Sequence, residues 1–247
     1  MDSTLVVNRV SARQWHALED DLVVGRGDVS RRPDGRVFVS VDAWHPAVFD
    51  QLAAVLLAEL PRPLYTVVDE DDVDLTCGWE RAGFVARRRE WEYVLATDPR
   101  LTGLDVAVRP PDLTIGAARE RPVHALYRAI REEVDAAVGW QEMPAEVLSP
   151  LHDVSAYAVA TLAGRDVGLV RVAPLTRRPR VGLIAVLAAY RRRGIARAML
   201  AHALDSLHRN GIQTASADIN AANHAALALF EGIGARRAGS NLELVHR

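Results

Sequence analysis

The sequence contains no lysine: all 30 basic residues of its 247 are arginine. It has one cysteine, Cys77, so an intrachain disulfide and a multi-cysteine metal cluster are excluded, and a reducing compartment is the expectation. Aromatic residues make up 6% of the chain, and none interleave with arginines as a nucleic-acid stacking platform would require. No apolar stretch is long enough to span a bilayer. The N-terminus, Met1-Asp-Ser-Thr-Leu5, lacks the basic region and apolar core of a signal peptide, so a cytoplasmic location is expected. No histidine, cysteine or acidic residues stand at metal-ligand spacing, and no Gly-Lys-Ser/Thr marks a P-loop. Ser155 and Ser216 lack the context of a hydrolase nucleophile.

What is present is ordinary for a globular chain: 49% apolar, 25% charged, formal net charge −2. The charge is uneven. Residues 1–105 carry 12 arginines against 19 acids, and residues 106–247 carry 18 against 13. The basic excess of the second part favours an anionic ligand there. A Pro- and Gly-punctuated stretch, Thr97 to Asp105 and then Arg109 to Asp112, divides the two and gives expected domains of 1–100 and 106–247.

Periodicity predicts strands at Arg36–Val41 and Leu64–Val68, with a helix over Phe49–Leu60 between them. A short helix closes at Gly83, and Val85–Thr97 reads as a hairpin or two strands. The acidic run Asp69–Asp74 lacks the glycine and spacing of a calcium loop and reads as a solvated loop or helix start. The second part reads as a helix over Val123–Val138 and a hairpin over Ser155–Ala173. A strand over Arg180–Ala188, a helix after Gly194, a strand over Ile212–Ile219, a helix over Asn223–Ile233 and one or two closing strands follow. Both parts end on a helix, an Ala-Gly-Phe84 or Ile-Gly-Ala235 stop, an arginine-rich segment and an apolar strand, which suggests duplication.

The informative stretch is Val186-Leu-Ala-Ala-Tyr-Arg191-Arg192-Arg193-Gly194-Ile195-Ala196. A strand runs into a basic turn that opens a helix. Unpaired N–H groups at a helix start favour an anion, and a glycine lets backbone touch phosphate. The bland alternative is a basic helix start with no ligand.

Two motifs in this order and spacing resemble the GCN5-related N-acetyltransferase (GNAT) superfamily. They are Arg191-x-x-Gly194-x-Ala196 between strand and helix, and Asn223-x-x-Ala226-x-x-Leu229-Phe230-x-x-x-Gly234 downstream. The resemblance covers residues 106–247 and implies an α/β fold with a mixed, mostly antiparallel sheet flanked by helices. The first part resembles a second, degenerate copy, because after Val41 it has Asp42-Ala-Trp-His-Pro46 where the glycine turn belongs. Such a pairing resembles tandem actinobacterial members of the superfamily.

The resemblance implies acetyl-coenzyme A as cosubstrate and no metal. Arg191, Arg192, Arg193, Gly194, Ile195 and Ala196 would hold its pyrophosphate. Val186, Leu187 and Ala188 would pair with the pantetheine like an added strand, and Asn223 and Phe230 would complete the donor site. The implied reaction is direct attack of a small-molecule primary amine on the thioester. Phe230 stands where the family has a tyrosine acid, and Arg180–Ala185 lacks the family's carboxylate. Asp218 and Glu133 are the remaining candidate bases, each against a bland reading as solvated or capping. His224 and His152 read as structural or surface residues. A non-catalytic coenzyme A sensor or scaffold and a protein or peptide N-acetyltransferase stay open beside the small-molecule enzyme. No nucleic-acid or membrane partner is expected, and the chain would act as a monomer or homodimer.

Overall fold

The computed structural model describes residues 5–104, 110–148, 151, 153–173 and 178–247. The chain divides into two compact units. The first comprises residues 1–90 with 239–247, and the second residues 91–238. The division does not follow contiguous sequence, because two long strands each contribute to both units.

The elements of the first unit are β1 (Val6–Ser11), β2 (Gln14–Glu19), β3 (Leu22–Arg31), β4 (Val37–Ala43), α1 (Pro46–Glu59), β5 (Leu64–Asp69), α2 (Val73–Arg81) and the start of β6 (Val85–Ala96). The remaining elements are α3 (Pro99–Thr102), β7 (Leu113–Ala117), α4 (Glu120–Ala137), α5 (Ala145–Leu148), β8 (Tyr157–Leu162), β9 (Arg165–Ala173), β10 (Arg180–Val186), α6 (Ile195–Arg209), β11 (Thr214–Asn220), α7 (His224–Glu231) and β12 (Arg236–His246). Short 3-10 turns lie at Trp140–Glu142, Val154–Ala156 and Ala188–Tyr190.

In the first unit the strand order is β1-β2-β3-β4-β5-β12-β6. β12 runs antiparallel to β5, from Asn241 opposite Asp69 to His246 opposite Leu64. This pairing is why residues 239–247 belong here. Helix α1 packs on β2, β3 and β4. Leu52, Leu56, Trp15, Trp79 and Phe84 lie at the centre of its core. The region 85–97, which reads as a hairpin or two strands, is one strand of 12 residues. It carries no turn residue, so nothing reverses it. In the acidic run, Asp72 caps α2 by accepting from Leu75 N.

The second unit has strand order β6-β11-β10-β9-β8-β7. β7, β8, β9 and β10 are joined antiparallel, whereas β10 and β11 run parallel. The architecture is thus an α/β fold with mixed, mostly antiparallel sheet. Apolar cores lie on both faces of this sheet. One forms under α6 and α7 and includes Tyr93, Leu95, Met199, Leu200, Ala217 and Phe230. The other lies under α4 and includes Tyr127, Ile130, Trp140, Tyr157 and Leu183. Helix α6 packs on β8, β9 and β10, and α4 packs on β9.

Candidate active site

The site begins where β10 leaves the sheet. β10 and β11 pair at Arg180–Ser216, and Ser216 N–H donates to Pro179 O at 2.9 Å. Beyond that point no further rung joins them among the described residues, so a fork opens between two parallel strands. On its other side β10 stays paired to β9 as far as Val186, opposite Gly168. Leu187 N–H then donates to Val167 O at 2.9 Å. Backbone groups alternate sides along a strand. The N–H and C=O groups of Val186 and the N–H of Ala188 therefore point away from β9, toward the fork, while Ala188 O closes the 3-10 turn by accepting from Arg191 N at 3.2 Å.

Gly168 makes the approach possible. A Cβ there would lie 2.9 Å from Ala185 O and 3.0 Å from the Met199 methyl carbon. The strand end and α6 are held close because this position has no side chain.

After Val186 the chain makes a 3-10 turn over Ala188–Tyr190. Arg192 adopts φ 63° and Gly194 φ 78°. The left-handed conformation of Arg192 costs about 1 kcal/mol, while Gly194 adopts it freely. Gly194 is the N-cap of α6, and no side chain caps this helix. Its first intrahelical bond is Ala198 N to Gly194 O. The N–H groups of the first turn, from Ile195 to Arg197, precede that bond and carry the positive end of the helix dipole. Ile195 itself is buried in the core below, which fixes the turn to the sheet.

The three arginines have different surroundings. Arg191 Nε donates to Val186 O at 3.0 Å, and its Nη2 lies 3.1 Å from Glu133 Oε2. Arg193 Nη2 donates to Ala189 O at 3.1 Å, and its guanidinium lies over the Tyr190 ring. Arg192 is exposed and has no partner among the described residues.

Glu133, on α4, reaches the strand end: Ala188 N donates to Oε1 at 3.1 Å and to Oε2 at 2.9 Å. Asp218, on β11, is placed elsewhere, with Oδ2 accepting from Arg180 Nη1 at 2.7 Å. The two candidate bases thus have separate partners. Asn223 caps α7, its Oδ1 accepting from Ala226 N at 3.1 Å, which leaves the amide NH2 for a ligand. Phe230 is buried, its ring 6.4 Å from that of Tyr93. His224 opens α7, and His152 lies outside the described residues.

The sequence reading missed a polar triad beside Phe230. Tyr93 hydroxyl donates to Glu231 Oε1 at 2.6 Å, and Arg237 Nε donates to that hydroxyl at 2.8 Å. Arg237 also lies over Trp91, 4.4 Å from the ring centroid. Burial pushes the Tyr93 hydroxyl above the usual phenol range, and hydrogen bonding to Glu231 adds to this. The signal available was the alternation of Trp91, Tyr93 and Leu95 on one strand, but their partners lie far away in sequence.

The core under α4 is aromatic. Tyr127 and Trp140 meet edge-on at 5.6 Å, and Arg131 lies over Trp140. The Tyr127 hydroxyl donates to Val147 O. Burial, with Tyr157 nearby, pushes its pKa up to about 12. Among the described residues no group of three or more His, Cys, Asp or Glu side chains is placed to hold a metal ion. None of the described helices is long and apolar enough to cross a membrane.

Residues 123–235 match the model of the acetyltransferase (GNAT) family. The chain is 43% identical over 51 residues to [Ribosomal protein bS18]-alanine N-acetyltransferase of Escherichia coli (strain K12). That match covers 21% of this chain and 34% of the relative. The chain thus spans about a third of the length of the curated relatives it matches. Among solved structures, it resembles a GCN5-related N-acetyltransferase from Sphaerobacter thermophilus with a TM-score of 0.71 and 16% identity, over 97% of this chain and 82% of that one. It also resembles a tandem GNAT protein from the clavulanic acid biosynthesis pathway, with a TM-score of 0.68 and 14% identity, over 94% of this chain and 82% of that one. The α/β architecture matches these GNAT structures. The family model covers residues 123–235, and the solved structures, at 16% and 14% identity, share the fold of the chain.

Proposed function

We propose that the second unit transfers acetyl from acetyl-coenzyme A to a primary amine by direct attack. One observation carries this reading. A forked strand end, with the Val186 backbone groups and the Ala188 N–H turned toward the fork, runs directly into an uncapped helix start behind Arg192 and Gly194. These features suit the two halves of one ligand. An extended diamide pairs with a strand edge, and a pyrophosphate suits a helix N-terminus. The donor-binding set is then Val186, Leu187, Ala188, Arg191 to Ala196 and Asn223, with Phe230 shaping the site from the core. Acetyl-coenzyme A supplies an activated acetyl group as a thioester.

The chain's own groups hold the donor and receive the amine's proton. Asp218 is the carboxylate we assign to that second task. It stands two residues beyond the Arg180–Ser216 rung, and its Oδ1 has no hydrogen-bond partner among the described residues. Phe230 has no proton to give. The thiolate leaves unaided, which a thiol pKa of about 8.5 permits.

The first unit we read as a GNAT-like copy that lost its donor turn. Where β4 passes into α1 there is no left-handed glycine, and His45 and Pro46 open the helix directly.

Titration calorimetry with acetyl-coenzyme A, and thiol release over a panel of amines, test the proposal. No binding at millimolar ligand rejects the donor site. Binding without turnover on any amine favours the coenzyme A sensor, a reading motivated by Phe230. The bS18-alanine acetyltransferase relatives motivate including peptides with free N-termini beside small amines. Turnover confined to peptides replaces the small-molecule acceptor.

A further inference from the structure

Glu133 does something the reaction scheme above does not use. Its carboxylate takes the Ala188 N–H with both oxygens, at 3.1 and 2.9 Å, and the Arg191 guanidinium at 3.1 Å. Arg191 in turn takes Val186 O at 3.0 Å. Val186 O and Ala188 N–H are the fork-facing acceptor and donor of the strand end. Glu133 and Arg191 together therefore present to β10 what one stretch of a neighbouring strand would present: an acceptor for Ala188 and a donor for Val186.

There is a physical reason for the arrangement. At this exposed strand end β11 has already diverged and supplies no backbone partner, and an ion-paired side-chain couple takes that place. The strand edge is capped by the protein itself, and the capping carboxylate comes from α4, which packs on β9.

We infer that Glu133 is a positioning residue and a competitor of the acyl donor. It fills the strand-edge place of the donor's amide chain in the free protein, and it is displaced, releasing Arg191, when the donor binds. This rests on the donor site proposed above. Displacement frees the end of α4 from the turn only when the donor is seated, so α4 responds to donor occupancy.

The test is calorimetric binding of coenzyme A to the wild-type chain and to Glu133→Ala and Glu133→Gln, together with the pH profile of kcat. Glu133→Gln is isosteric and loses the ion pair while keeping one acceptor, so it preserves the test if the alanine variant does not fold. The expected result is binding tighter by roughly tenfold in Glu133→Ala, the worth of one charge-assisted hydrogen bond. Glu133→Gln should fall between, with the pH profile of kcat unmoved. Weaker or unchanged binding in both variants overturns the inference. Loss of the acidic limb of the pH profile also overturns it and makes Glu133 the base. Binding by the variants at millimolar coenzyme A where the wild type shows none supports it in its strongest form. No binding by any of the three removes the donor site, and the inference with it.

Discussion

Arg180 Nη1 lies 2.7 Å from Asp218 Oδ2, at the point where β10 and β11 part. The pair closes the base of the fork. Arg180 stands on the last shared rung, and Asp218 is two residues into the opening. Removing either partner alters both the fork and the proton-accepting group we assign.

Asp218→Asn should lower kcat by about 100-fold, the scale of general base catalysis. Arg180→Met, which keeps the carboxylate, should cost less. Steady-state thiol release checks both. An Asp218→Asn enzyme within about threefold of wild type assigns the proton to water.

Among the described residues Arg192 is the arginine of the turn without an internal partner, so its charge is the one most open to phosphate. Arg192→Glu should weaken acetyl-coenzyme A at least tenfold, and Arg192→Gln about threefold, with a shallower salt dependence in both. Gly194→Asp should abolish binding, because it adds a side chain and a negative charge at a φ of 78°. Calorimetry at two salt concentrations reads these effects.

Gly168→Val should destabilise the second unit by about 2 kcal/mol or more. Its Cβ would meet Ala185 O at 2.9 Å, a backbone atom that cannot step aside as a side chain does. Urea unfolding measures the loss. A change within about 0.5 kcal/mol, the range of neutral surface substitutions, removes the close approach as a constraint.

Tyr127 carries a pH dependence of known sign. Its folded hydroxyl, at about 12, lies above the ordinary value of 10.0. The neutral form is favoured by folding, so its contribution is complete below about pH 10 and is lost as pH rises from there through about 12. Tyr127→Phe should cost about 1 kcal/mol at neutral pH, from the lost bond to Val147 O, and should flatten the alkaline decline. Thermal unfolding of both proteins from pH 7 to 11 decides it.

In the first unit Glu243 is buried and accepts from Arg32, Arg36 and Arg87. Glu243→Gln should destabilise that unit by about 3 kcal/mol, because it leaves three guanidinium groups sharing a neutral partner. Glu243→Leu should be at least as harmful, and denaturant unfolding separates both from wild type.

The strand-turn-helix at Arg180–Arg209 was legible because every signal there is local. An apolar run stops, a glycine permits the left-handed turn, and a 3.6-residue period follows. The strands β1, β2, β3 and β7 were not legible. They are exposed or mixed in polarity, and β1 shows no clean alternation that a period of two would reveal. The single strand β6 reads in the sequence as a hairpin or two strands because its arginine run interrupts the apolar pattern. Those arginines and their neighbours on β6 meet partners such as Glu243 and Glu70 that are remote in sequence.

The sequence by itself determined which ligand chemistry the turn suits, through Arg191–Ala196 and the downstream Asn223, because helix starts and turn glycines are written within a few residues. Only the tertiary structure decided which side chains attend that turn. Glu133 is 55 residues from Ala188, and Asp218 is 38 from Arg180. Sheet order and helix packing bring these groups together, and no local period encodes a contact made across a fork.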